Sequence, residues 1–215
     1  MMGLMMKDLL NLRQYGKQMA LVYGFYIVCS MMGMWDISFF VALAIMIGGT
    51  TFLSTLTYDD MAKWDTYALT MPIGRRDLVN SKYLLLVGSM AVNTVLSLAI
   101  AAVLQTIQGN LHFLELAATA VSVFIVGLTG FCLTLFLAFK LGAEKARIFL
   151  MAIFLIPTFG IFMVAKIAKA GGAKFDLAAL EANLPVILAA GAVVLLVVGF
   201  VSYRLAVKVV EAKEF

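Results

Sequence analysis

Residues able to do covalent or metal chemistry are scarce in this sequence. It has one histidine, His112, and two cysteines, Cys29 and Cys132. That count excludes a His/Cys metal cluster. In helices rising about 1.5 Å per residue the two thiols would sit at depths differing by roughly 18 Å, while a disulfide needs its Cα atoms within about 7 Å. Both read as small apolar fillers. No paired carboxylates or histidines fall inside the long apolar runs, which disfavours a membrane-embedded protease. No Gly-x-x-x-x-Gly-Lys-[Ser/Thr] phosphate-binding loop occurs. The chain is therefore expected to be no enzyme and to bind no cofactor itself. What remains is recognition chemistry, concentrated in one polar segment from Thr57 to Tyr83 that carries Asp59, Asp60, Lys63, Trp64, Asp65, Tyr67, Arg75 and Arg76.

The elements that position this segment must be apolar. Of 215 residues 64% are hydrophobic and 13% charged, and the mean hydropathy is +1.04. A soluble domain carries about 25% charged residues, so lipid must be the solvent for much of this surface. A spanning helix needs roughly 20 apolar residues. The runs predict an all-α integral membrane protein with six transmembrane helices, at about 18–35, 37–57, 82–106, 114–139, 147–165 and 184–203. They are too continuously apolar for the alternating strands of a barrel. No cleaved signal peptide is expected, because the first apolar run starts late, near Gln18, and no small-residue cleavage site follows it.

Orientation follows from the basic residues. Lys7, Arg13, Lys17, Lys63, Arg75, Arg76, Lys82, Lys140, Lys145, Arg147, Arg204, Lys208 and Lys213 fall on one side, and only Lys166, Lys169 and Lys174 on the other. The positive-inside rule places the first set, and both termini, in the cytoplasm. No charged residue falls in the middle of a predicted span; Glu115 comes closest, at the outer rim of the fourth. An ion-coupled transporter usually keeps an ionisable residue within the bilayer, so a secondary transporter is disfavoured and the energy source is expected to act from outside the membrane.

Two cytoplasmic segments are longer than a turn requires. In residues 1–17, Met1, Met5, Leu9 and Leu12 share one helical face and Lys7, Asn11 and Gln14 another, the pattern of a helix lying in the membrane interface. In the second segment Thr57 and Asp60 have capping-box-like spacing, and Asp59 and Asp60 suit the positive end of a helix dipole. Met61, Trp64, Ala68 and Met71 then repeat at helical spacing. Pro72 disfavours helix at Met71, and Arg75, Arg76 and Asp77 open the next helix. An exposed Trp and Tyr on a short helix fit a docking surface; they fit equally an anchor at the headgroups.

The run Tyr58, Asp59, Asp60, then Lys63, Trp64, Asp65, Tyr67, Leu69, Met71, Pro72 and Ile73, then Arg75, Arg76, Asp77, Ser81, Lys82 and Tyr83 resembles the segment after the second span in type-2 ABC export permeases. The nearest group is the small six-span bacterial permeases that include peptide-toxin exporters. That family usually has Trp-Glu-Xaa-Tyr, then Leu-Pro and a basic pair; here Asp65 replaces the Glu, Met71 the Leu, and Gly74 stands where Ser is common. The resemblance implies that residues 58–72 form a coupling helix seated in a cytoplasmic ATPase subunit, with Asp59, Asp60, Lys63, Trp64, Asp65, Tyr67, Met71, Pro72, Arg75 and Arg76 at the contact. It implies an elbow helix at 1–17, a permease domain over 18–215 and a small outer hairpin or helix at 166–183. It further implies ATP and Mg on the separate ATPase, a second six-span permease as homodimer or heterodimer mate, and a bacterial cytoplasmic membrane as location, with no nucleic-acid partner.

Within the spans, Gly48, Gly49, Thr50, Thr51, Ser54 and Thr55 suit close helix packing, as do Asn93, Thr94 and Ser97. Pro157 and Gly160 are expected to kink the fifth span. A weaker reading places Thr51, Ser54, Asn93, Phe154 and Phe159 on a substrate path, with a hydrophobic or amphipathic cargo such as a peptide, lipid or drug. A non-transporting scaffold or immunity protein would keep the spans but need no coupling helix. The orientation is testable by thiol labelling in intact cells. A cysteine at Asn110 or Gly172 should react with an impermeant reagent and one at Thr66 should not; the reverse pattern would invert the topology.

Overall fold

The computed structural model describes residues 2–68, 74–109, 112–170 and 183–212. These residues form seven helices and no strand: α1 Met2–Met31, α2 Ile37–Met61, α3 Trp64–Ala68, α4 Arg75–Gln108, α5 Phe113–Leu141, α6 Ala143–Ala170 and α7 Leu184–Ala212. Of these, α2, α4, α5 and α7 are long and apolar enough to cross a membrane by length and composition. The expected span over 147–165 lies inside α6, which is 28 residues long. The expected outer hairpin at 166–183 falls mostly outside the described residues.

The punctuation between helices is local chemistry. Gly33, Gly109 and Gly142 take positive φ angles of 70°, 76° and 91°, which side chains with a Cβ resist. The first ends the turn after α1, four residues earlier than the sequence suggests. The Asp36 carboxylate then accepts from the Ser38 N–H at 3.3 Å and caps α2, satisfying one of the orphan donors of a helix start. Pro157 stands inside α6 and leaves the Ile153 carbonyl without its helical donor.

Helix α5 is central, packing on α2, α4, α6 and α7, and α2 in turn packs on α1, α4 and α6. The core is built from Phe40, Val41, Ile45, Phe52, Leu86, Met90, Leu116, Phe131 and Leu135. Small residues set the closest approaches. A Cβ on Gly48 would lie 2.6 Å from Asn93 Nδ2, and one on Gly49 would overlap the Phe131 ring.

One expectation changes in α1. The sequence suggested a break near residue 17 between an interfacial elbow and the first span. The structure instead runs a single helix through it, because Gly16, the one weak helix former there, costs only about 1 kcal/mol against alanine. Near one end Lys7 Nζ donates to Asp59 Oδ1 at 2.6 Å, and further along the Tyr23 hydroxyl donates to the Ala44 carbonyl at 3.4 Å. The two helices are therefore antiparallel, with Lys17 level with the Gly49–Thr50 turn of α2.

Candidate functional site

The polar segment folds differently from its local pattern. Helix α2 continues through Tyr58, Asp59 and Asp60 to Met61. The Thr57 hydroxyl donates back to the Leu53 carbonyl at 3.2 Å instead of capping a new helix. The two aspartates thus stand at the end of a helix, where its dipole disfavours negative charge. The expected helix over 58–72 is replaced by a two-residue joint, Ala62 and Lys63, and the short helix α3. Lys63 sits at φ 48°, an uncommon region for a residue with a side chain. Met71 and Pro72 lie outside the described residues, and for Asp65 only the backbone is described.

Both aspartates find partners on other helices. Asp59 belongs to a buried quartet. Lys82 Nζ donates to Asp8 Oδ2 at 2.7 Å and also to Asp59 Oδ2. Lys7 Nζ bonds Asp59 Oδ1 and lies 3.2 Å from Asp8 Oδ1. Lys82, Asp8 and Asp59 are 4%, 1% and 7% exposed. The formal charge of the four groups is zero, so the ions compensate one another, with Lys7 as the partly exposed member. Withdrawing each ion from water costs several kcal/mol, which only close pairing with good hydrogen bonds can offset. Lys7 also lies 4.1 Å above the Trp64 ring centroid, a cation–π contact. The quartet therefore joins α1, α2 and α4 and fastens α3 to all three.

Asp60 does a second job. Its Oδ2 accepts from the Ala143 N–H at 2.5 Å, so a carboxylate from the end of α2 caps the start of α6, where the dipole favours it. Arg147, one turn into α6, donates to Ser54 Oγ at 3.1 Å. The pair Arg75 and Arg76, expected at a partner contact, is engaged within the chain. Arg75 donates to the Glu211 carbonyl at 2.5 Å and Arg76 Nε to Glu211 Oε1 at 2.7 Å. The first contact satisfies an orphan carbonyl at the end of α7; the second is exposed and worth little. Deeper in, Tyr83 Oη meets Ser202 Oγ at 2.7 Å and Ser202 donates to the Cys132 carbonyl at 2.6 Å, tying α4, α7 and α5.

Trp64 and Tyr67 point to different places. Trp64 is half-buried against the core and Lys7. Tyr67 is 57% exposed, its ring centroid 5.5 Å from that of Trp64. Two grooves flank this region. One, about 370 Å³, is lined by Lys7, Asn11, Tyr58, Asp59, Ala62 and Trp64. The other, about 330 Å³, lies between Met61 and the α5–α6 turn, with Asp60, Glu144 and Lys145 on its walls. Most of the residues read as a substrate path are engaged within the bundle. Asn93 is buried and bonded to Tyr23. The Thr51 hydroxyl bonds the Ile47 and Gly48 carbonyls. Ser54 accepts from Arg147. Phe154 packs on Phe131 at 5.9 Å, and only Phe159 is freely exposed.

Sequence reasoning missed Asp8 and Lys82 as members of a site. Lys82 was counted as one more basic residue beside the membrane, and Asp8 was not singled out. The usable signal was two adjacent acids closing a long apolar helix, which need cations from elsewhere. Breaking the quartet by Lys82→Met leaves an uncompensated buried carboxylate and should destabilise the fold by about 3–5 kcal/mol. Thermal unfolding in detergent checks this, and adding Asp59→Asn should recover part of the loss because the two sites couple. Additive losses would show that the pair does not interact.

A family model described as ABC-2 family transporter protein matches residues 3–211. No curated protein and no solved structure matches the chain. A match across nearly the whole helical bundle, including the joint and the buried quartet, settles the class: the chain belongs to the ABC-2 transporter family, as one of its membrane-embedded permeases.

Proposed function

We propose that the chain is the permease subunit of an ATP-driven exporter, and that a separate cytoplasmic ATPase acts on it at α3. In this reading α1, α2, α4, α5, α6 and α7 are the six spans. The end carrying the quartet and both termini face the cytoplasm of a bacterial cell, and a second six-span unit completes the transporter. The long continuous α1 serves as the first span, so a separate interfacial elbow is not part of the proposal. The cargo is hydrophobic or amphipathic.

The observation that carries this reading is the fastening of α3. A five-residue helix is held by its inner aromatic, Trp64, to a charge cluster shared by three long helices, while its outer aromatic, Tyr67, is left exposed. A subunit that grips Tyr67 and moves α3 must disturb or carry the cluster. Motion then reaches α2 through the joint at Ala62 and Lys63, and α1 and α4 through Lys7 and Lys82. The cap from Asp60 to Ala143 extends the same motion to α6. Exposed aromatics are enriched among residues that dominate binding energy, which suits Tyr67 to the partner and Trp64 to the permease.

Tyr67→Ala should weaken association with the ATPase subunit by about 2 kcal/mol, as loss of a buried aromatic anchor does, which is roughly thirtyfold in affinity. The thermal stability of the permease alone should fall by no more than the loss of the Tyr67–Trp64 ring contact implies, about 1 kcal/mol. Titration of the ATPase onto the permease in nanodiscs measures this; unaltered affinity would leave Tyr67 as a headgroup anchor and remove the docking surface.

A further inference from the structure

Beside the Asp60 cap lies a narrow inlet of about 20 Å³. Leu56, Ala138 and Phe139 are its apolar walls, and Asp59, Asp60 and Lys82 its polar groups. A site needs roughly 10–15 Å³ to hold one water, which in turn needs about two to four polar partners. The inlet meets both conditions. Of its polar groups Asp60 is exposed, whereas Asp59 and Lys82 are buried. Water therefore has a way in at Asp60.

The hydrogen bonds of Lys82 call for a further acceptor. An ammonium carries three N–H donors. One goes to Asp8 Oδ2 at 2.7 Å and one to Asp59 Oδ2. No acceptor among the described residues takes the third. A buried donor left without an acceptor is costly, the more so when it is charged. Asp60 has capacity to spare: its Oδ2 accepts from the Ala143 N–H, and an ionised carboxylate offers about four lone-pair sites. The occupant must then accept from an ammonium and donate to a carboxylate. A cation cannot accept and is repelled by Lys82. An anion cannot donate and meets two aspartates. An apolar group does neither. A neutral donor and acceptor small enough for the inlet is water.

We propose that the inlet is a binding site for one structural water, which accepts from Lys82 Nζ and donates to the Asp60 carboxylate. Helices α4 and α6 share no packing contact among the described residues. Lys82 belongs to α4, and Asp60 caps the start of α6. The water is therefore the joint between two helices that do not touch, and it carries the quartet's reach from three helices to a fourth. A bridging water is nearly as favourable in enthalpy as a direct hydrogen bond. The inference goes beyond the permease reading and does not depend on it.

The direct test is a density map of the full chain in nanodiscs, at a resolution that shows buried waters. A peak is expected within about 3.2 Å of both Lys82 Nζ and an Asp60 oxygen. A map with ordered waters elsewhere in the bundle and none here would overturn the proposal. Two variants of one shape read the same site through stability. Ala138→Val and Ala138→Thr both fill the inlet and displace the water, and their helix propensities are similar. Only threonine brings a hydroxyl that can take over the water's bonds. The valine variant should melt below the threonine variant by about 3–8 °C, the shift that a stranded buried donor causes in a chain of this size. Equal melting, or a higher midpoint for valine, would mean that the polar groups of the inlet need no partner and would overturn the proposal. Neither assay contains an ATPase or a cargo, so failure here leaves the permease reading standing, and the reverse.

Discussion

The fold depends on four charges that must come together or not at all. Lys7, Asp8, Asp59 and Lys82 come from three helices; the last three are buried, and Lys7 stands partly exposed beside them. A single missing partner would leave a charge without compensation, which is far more costly than the pair is stabilising. The first turns of α1, the last turn of α2 and the second turn of α4 are therefore obliged to arrive at one place. Apolar packing against lipid cannot set that register, because lipid tails are as apolar as leucine and give no direction along the helix axis. A paired charge fixes the axial position to within a hydrogen-bond length.

Other polar contacts repeat this logic at lower stakes. Asp60 fixes the start of α6, Arg75 fixes the end of α7, and the Tyr83–Ser202–Cys132 chain ties α4, α7 and α5. Between these pins, close approach is set by missing side chains at Gly48, Gly49 and Gly130, against which Asn93, Phe131 and Phe154 pack. The bundle is thus pinned where charges and glycines meet. Helix α3 is attached to that end by one ring and one ammonium. Under the proposed function this makes α3 a small handle on a set of joined levers.

Much of this was legible in the sequence, and the parts that were not share a cause. Long apolar runs announce their own helices, so α2, α4, α5, α6 and α7 enclose the predicted spans. Pattern-based capping failed at Thr57 and Asp60, because that rule reads neighbours three residues apart. The actual partners of Asp59 and Asp60 are 52, 23 and 83 residues away. Arg75 and Arg76 looked free for a partner for the same reason, since the groups they bond lie at the far end of the chain. Trp64 and Tyr67 stand out in the sequence by type, but only the fold shows that one faces inward and the other outward. The continuity of α1 was invisible because a glycine near a polarity change reads as a bend, whereas the helix runs unbroken from Met2 to Met31.

The central claim is that force enters this permease at α3. It is tested most directly by a photo-crosslinking amino acid in place of Tyr67, activated in membranes from cells that also make the ATPase subunit. The account predicts one dominant adduct, with a chain that carries the phosphate-binding loop this sequence lacks, and a change in its yield when ATP is added. Adducts with lipid alone, in membranes where that ATPase is present, would contradict it.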